Sequence, residues 1–251
     1  MNRIHGRAVS RAGIAVVLMG TVIAGSYSVR AEVPTDPPIF TDPLSITAAY
    51  HPFVVGRIKT FVIQQGHTDA EVVDTYLAET RAFDWGGGPV ETRVLREMEI
   101  EDGEIVEISQ NYFAQADNGS VYYFGEVVDI YENGVIIGHD GSWLVGGPTL
   151  PTDPEETATA EDPTIFMPAN PEVGDIFKPE DLFPYVDETD EVIKVGKTVR
   201  VPAGLLTDCI RILETTLLSD DTETKWYAPD VGVIKTKSKG EILVLVEIDD
   251  P

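Results

Sequence analysis

One cysteine, Cys209, occurs in 251 residues. A single thiol excludes an intramolecular disulfide, so an exported fold has to rest on its apolar core. Cys209 lies in Leu205-Leu206-Thr207-Asp208-Cys209-Ile210-Arg211-Ile212, a strand-like run, and reads as a small buried apolar residue. Positive charge is also scarce: 18 Lys and Arg stand against 43 Asp and Glu, a formal net charge of −25. A phosphate backbone needs a basic surface, so no nucleic-acid partner is expected, and docking on anionic lipid is disfavoured. Local catalytic signatures are missing too. His51, His67 and His139 fall in no His-x-x-x-His or Glu-x-x-His spacing, and no Gly-x-Ser-x-Gly elbow, phosphate-binding loop or dinucleotide glycine pattern occurs.

What is present begins with an address. Arg3, Arg7 and Arg11 precede an apolar run from Ala12 to Gly25, and Val29-Arg30-Ala31 offers small-x-small before Glu32. That order predicts a secretory signal peptide over 1–31, cleaved near Ala31, and a periplasmic or extracellular protein. No later apolar stretch reaches spanning length, so no membrane association is expected of the mature form. Without residues 1–31 the chain holds 14 basic and 43 acidic residues, a net charge of −29.

The remainder reads as mainly β: a curved antiparallel sheet, whether meander, half-barrel or sandwich, carrying a long acidic, Pro-rich loop insertion. Residues 32–50 form a Pro-rich lead-in expected to be flexible and exposed, and 51–251 one β-rich domain around one hydrophobic centre. Val54 to Gln64 predicts a first strand. Thr68 to Phe83 fits a helix or a strand, and the strands that follow favour the latter. Asp102-Gly103, Asp117-Asn118-Gly119 and Asn133-Gly134 separate alternating runs and predict three successive hairpins. Pro148, Pro151, Pro154 and Pro163 interrupt the pattern, so 146–185 is expected to be loop-rich. Strands resume at Val192 and end in a hairpin turned at Ser238-Lys239-Gly240.

Candidate site residues follow from chemistry. The 81 residues of 97–177 contain no Lys or Arg and 18 acids. Oxygen ligands are abundant there, so Asp117, Glu126, Asp129 and Asp140 are the candidates for a calcium site that is not an EF-hand, since Val128 stands where that loop needs Glu. Asp117, Glu126 and Asp140 are also the carboxylates a secreted hydrolase would pair in a cleft. Tyr112, Tyr123, Trp143 and Trp226 could line a groove for a sugar or an apolar ligand, although alternate aromatic residues of paired strands belong to the core. His139-Asp140-Gly141-Ser142-Trp143 reads as a tight turn leading to a buried Trp, because triads assemble across a fold.

The stretch Asn111-Tyr112-Phe113-Ala114-Gln115-Ala116-Asp117-Asn118-Gly119-Ser120-Val121-Tyr122-Tyr123-Phe124-Gly125-Glu126 resembles the signature Tyr-Ala-Gln-Asp-x-x-Gly-Asn-Val-Trp-Tyr-Phe-Gly-Glu of a family of exported bacterial proteins with no established activity. Gly141-Ser142-Trp143, Met167-Pro168-Ala169, Pro171-Glu172-Val173-Gly174-Asp175, Val201-Pro202-Ala203-Gly204 and Lys225-Trp226-Tyr227-Ala228-Pro229-Asp230-Val231-Gly232-Val233 extend the likeness over about residues 90–248. Asp230 stands where that pattern has Gly, which puts a left-handed turn there in question. The tail is also similar to periplasmic proteins of the lipoprotein-carrier type, which implies a curved sheet around an apolar groove. The resemblance carries over no catalytic residue. The expectation is an exported, non-enzymatic protein binding a cation, a basic protein or a cell-surface glycan; the rivals are a carboxylate-pair hydrolase and a carrier of an apolar molecule.

Overall fold

The computed structural model describes Val33, residues 36–65 and residues 69–251. The expected signal peptide and His67 lie outside the described residues. All regular structure among the described residues is strand: β1 (Ile58–Gln65), β2 (Ala70–Trp85), β3 (Gly88–Glu101), β4 (Glu104–Gln115), β5 (Val121–Glu132), β6 (Val135–Gly138), β7 (Trp143–Val145), β8 (Ala158–Ala160), β9 (Thr164–Met167), β10 (Ile176–Leu182), β11 (Val186–Val201), β12 (Gly204–Thr215), β13 (Thr222–Ala228), β14 (Gly232–Ser238) and β15 (Glu241–Asp249). They form one curved sheet in the order β10-β11-β12-β13-β14-β15-β1-β2-β3-β4-β5-β7-β8, with β6 and β9 also paired to β5. The ladders are antiparallel apart from β7–β8. The ambiguous stretch before Phe83 is strand, because β1 on one side and β3 on the other satisfy its backbone.

The hairpin turns follow the residues that can hold positive φ. Asp102 and Gly103 have φ of 50° and 83°, and Asn133 and Gly134 have 52° and 75°. Two successive positive values match the right-handed twist of the flanking strands. Asp230 takes φ of 64°, so the left-handed turn is made without glycine. Gly125 is different: at φ of 114° in β5, a Cβ there would lie 2.1 Å from the Trp143 carbonyl oxygen. Only glycine lets β7 close on β5. Around it Asn111 pairs with Glu126 but Phe113 pairs with Tyr123, so β5 carries an extra residue, a bulge, opposite Tyr112.

The curl brings the two ends of the sheet together. The Thr164 hydroxyl in β9 donates to the Pro179 carbonyl in β10. Phe177, Val192, Ile210, Ile212 and Tyr227 from one end share a core with Phe113, Tyr123, Phe124 and Met167 from the other. Tyr123 stacks on Phe113 at 4.8 Å, with Phe166 edge-on at 4.7 Å from Phe113 and Trp143 edge-on at 5.2 Å from Tyr123. Fully burying such side chains stabilises by ~1.5–3 kcal/mol each. β5 is buried on both faces, which explains its unbroken Tyr-Tyr-Phe run.

Three expectations are corrected. A second hydrophobic centre exists, built from Phe61, Val201, Cys209, Ala228, Ile234, Val244 and Leu245 on the β12–β15–β1 side. The lead-in is not a loose, exposed segment where it is described. Ile46 and Ala48 are buried, Phe40 packs edge-on against Trp85, Tyr122 and Phe124, and main-chain bonds tie Ile39, Pro43 and Ala49 to Asp117, Gln115 and Asp230. Pro fixes φ without preventing packing, so a Pro-rich segment can be pinned by its carbonyls. The 146–185 insertion contains β8, β9 and β10, short strands that pair with β7, β5 and β11 respectively.

Candidate functional site

Residues from β2, β3, β4 and β5 share one face beside the bulge. Gln110 pairs with Val127, Ile108 with Asp129, and Val94 with Tyr112. The loop after β7 folds over this face and leaves a cleft of about 460 Å³ lined by Leu77, Glu79, Thr80, Arg81, Val94, Arg96, Gln110, Tyr112, Val127, Asp129, Leu150, Thr152 and Asp153.

Arg81 anchors the cleft wall. Its side chain is 6% exposed, and Asp153, at 3%, comes from the loop 72 residues away. The contact is bidentate, with Nη1 donating at 2.8 Å to Oδ1 and Nη2 at 2.7 Å to Oδ2. The guanidinium also stands 4.8 Å from the Phe83 ring and 4.9 Å from the Tyr112 ring. The Thr149 and Leu150 amides each donate at 2.8 Å to Asp153 Oδ2. Burial pushes the Asp153 carboxyl up, but the Arg81 bond and these two amides outweigh it and hold the pKa below its ordinary value. Arg81 Nε is buried with no acceptor among the described residues. Asp129 reaches the cleft from β5 and pairs with His139 Nδ1 at 2.9 Å. Arg96 and Gln110 are exposed on the cleft rim.

The four oxygen-ligand candidates are not gathered. The Asp117 carboxylate turns to the lead-in, accepting from the Thr41 amide at 2.8 Å and the Thr41 hydroxyl at 2.7 Å; those bonds lower its pKa. Glu126 and Asp129 are three apart in a regular stretch of β5 and therefore lie on opposite faces. Asp140 is exposed in the turn before β7. The hydrolase set Asp117, Glu126 and Asp140 is likewise spread out, and none of the three lines the 460 Å³ cleft. Among the described residues, the acids that do converge are Glu188, Asp190 and Glu214, with oxygens within 4.8 Å of one another. A cation already sits with them: Lys225 Nζ is 2.6 Å from Glu188 Oε1 and 2.6 Å from Glu214 Oε2. Burial alone would lower the lysine pKa, but these carboxylates raise it well above the ordinary value.

Of the aromatic candidates, Tyr112 lines the cleft, whereas Tyr123 and Trp143 are 3% and 1% exposed inside the aromatic core. Trp226 packs against the second hydrophobic centre with Lys235 Nζ 5.0 Å from its ring. Tyr112 and Tyr123 are buried in one hydrophobic core and Trp226 packs against the other, so the three do not share a surface. Ser142 accepts from the Val128 amide at 2.9 Å, so the His-Asp-Gly-Ser-Trp run is a turn that completes the β5 backbone. Sequence reasoning missed Arg81, Arg96, Gln110 and Asp153. The available signal was the lone cation Arg81 next to Ala82-Phe83 in an otherwise acidic strand, and Arg96 at the very edge of the window without Lys or Arg.

No family model matches the chain, and no curated protein matches it. Two solved structures are similar. One is a Bacteroides fragilis protein described as a candidate exported protein with a YmcC-like fold, at 16% identity and a TM-score of 0.43, covering 81% of this chain and 100% of that one. The other is a Parabacteroides distasonis protein described as a lipoprotein candidate, at 15% identity and a TM-score of 0.41, covering 80% of this chain and 99% of that one. Likeness at this level bears on neither site nor ligand.

Proposed function

We propose that the protein is an exported, non-catalytic β protein that binds a neutral cell-surface glycan in the cleft between β2–β5 and the loop carrying Asp153. The observation that carries this reading is the cleft's mixed lining. Arg96, Gln110, Thr80 and Thr152 can donate, Glu79 and Asp129 can accept, and Tyr112 gives an aromatic wall. Sugar hydroxyls both donate and accept, so they satisfy such an array; an apolar ligand would leave it unpaired at a cost of ~1–3 kcal/mol per group. Two arginines against three carboxylates give the cleft no single sign strong enough to select an anion. The volume of about 460 Å³ suits a small bound segment, since ligand clefts span ~300–1,000 Å³. Export is the reading of the sequence's basic-then-apolar start.

The test is retention on an array of neutral and acidic oligosaccharides, with the double variant Arg96→Ala/Gln110→Ala as control. Both side chains are exposed, so the variant keeps the fold. Retention of a neutral oligosaccharide, reduced at least tenfold in the variant, supports the reading. No retention of neutral sugars, or retention that the variant leaves unchanged, overturns it.

A further inference from the structure

The geometry points to a second binding surface, for a carboxylate-bearing glycan, on one face of β11–β14 and separate from the cleft. Basic residues are few, yet 8 of the 14 that follow residue 31 fall within 194–239. The register puts three of them in one row. Lys194 lies opposite Arg211, Arg211 opposite Trp226, and Trp226 opposite Lys235, on four adjacent strands. Arg211 alternates with Ile210 and Ile212, and Trp226 with Tyr227, so the row faces away from the core that these three share. A bulge between Val192 and Lys194 takes Lys194 out of the inward set of Val192 and onto the face of Arg211. Lys194 is exposed, and Arg211, Trp226 and Lys235 are partly exposed. Arg57, Lys59, Arg81, Lys178, Lys225 and Lys239 have carboxylate partners. Among the described residues Lys194, Arg211 and Lys235 have none, and Arg211 Nε is buried without an acceptor. Like charges directly opposite one another are destabilising, so the row does not brace the sheet.

The shape of the row selects the occupant. It crosses four strands, roughly 15 Å at ~4.8 Å per strand. The next row along the strands, Glu191, Leu213, Thr224 and Lys237, holds one acid and one cation and adds no net charge. A flat anionic bilayer would meet more of the surface than this row, in a chain of net charge −25. A slender chain meets the row alone, since charges beyond ~8 Å are largely screened at physiological ionic strength. An acidic peptide is disfavoured because β11, β12, β13 and β14 are each paired on both sides and offer no main-chain edge. A carboxylate on a sugar ring fits the fork of Arg211, and its flanking carboxylates and hydroxyls can accept from Lys194 and Lys235. Trp226, between Arg211 and Lys235, holds the lysine Nζ 5.0 Å from its ring and so fixes the far end of the row.

The probe is hexagalacturonate titrated onto the full chain, with its fully methyl-esterified form, hexaglutamate and phosphatidylglycerol vesicles as controls. The proposal expects saturable binding of hexagalacturonate that weakens with added salt, and at least tenfold weaker binding of the ester. The triple variant Lys194→Gln/Arg211→Gln/Lys235→Gln should lose at least tenfold, and the cleft variant Arg96→Ala/Gln110→Ala should bind as the parent does. Thermal melting reports whether the triple variant is folded; if it is not, Lys194→Gln/Lys235→Gln keeps Arg211 in place and should still lose at least threefold. Absence of binding at millimolar hexagalacturonate overturns the proposal, as do equal binding of the ester, binding that the folded row variant leaves unchanged, and binding lost in the cleft variant instead. Hexaglutamate bound as tightly overturns it in favour of an acidic peptide, and vesicles bound in place of hexagalacturonate overturn it in favour of a membrane.

Discussion

Arg81 and Lys225 are both buried cations held by carboxylates, yet they serve different regions in different ways. Lys225 stands on β13 between Glu188 on β11 and Glu214 on β12, so all three side chains are fixed by paired strands. Arg81 stands on β2, and its carboxylate arrives from a loop. The first arrangement staples three neighbouring strands from within. The second pins a loop that roofs a cleft and keeps one guanidinium donor unmet. A buried ion pair therefore marks structure when both partners ride on strands. When one rides on a loop over a cavity, it marks the boundary of a site.

This contrast gives an order of expected effects. Lys225→Met leaves Glu188 and Glu214 buried without their countercharge and should cost ~3–5 kcal/mol, read as a lower urea midpoint. The next effect tests the aromatic side of the molecule, where charge is excluded. His51 lies 4.6 Å from both Phe113 and Phe166, and burial, helped by Lys59, lowers its pKa to about 3. Between the ordinary value of 6.5 and about 3, the unfolded chain binds a proton that the folded chain refuses. The His51 contribution is fully present above the upper limit and is lost as pH falls through the window, at about 1.4 kcal/mol per pH unit. Stability measured against pH should show a component in that window that His51→Gln removes.

Arg81→Met comes third. Asp153 keeps the Thr149 and Leu150 amides and can turn to solvent with its loop, so the loss should be ~1–3 kcal/mol, less than at Lys225. Amide exchange should quicken in the loop at Thr149–Asp153 while β11–β13 stay protected. Equal losses for Arg81→Met and Lys225→Met would erase the distinction between the two regions. The smallest effect should be Cys209→Ala. It removes one buried sulfur from the second hydrophobic centre, at ~1 kcal/mol, and leaves the loop's exchange unchanged.

What could be read from the sequence was local. Asp-Gly and Asn-Gly announced the turns because those residues tolerate the φ values the hairpins need, and alternation announced the strands. Cys209 is buried, as its apolar neighbours implied. The non-local features were hidden. Glu188, Glu214 and Lys225 meet only because Asp190 pairs with Glu214 and Ile212 with Lys225. Asp153 looked like one more acid of a charged loop until the loop folded back on β2. Glu126 and Asp129, three apart in a regular stretch of β5, part company in space by strand alternation, which shows only once that stretch is known to be strand.

Glycan binding in the cleft is tested most directly by amide chemical-shift mapping with a panel of neutral tetrasaccharides built on glucose, galactose, mannose and N-acetylglucosamine. The account predicts saturable shifts for at least one member, centred on Arg96, Gln110 and Thr152 and abolished in Arg96→Ala/Gln110→Ala. Shifts elsewhere on the sheet, or none with any member at millimolar concentration, would contradict it.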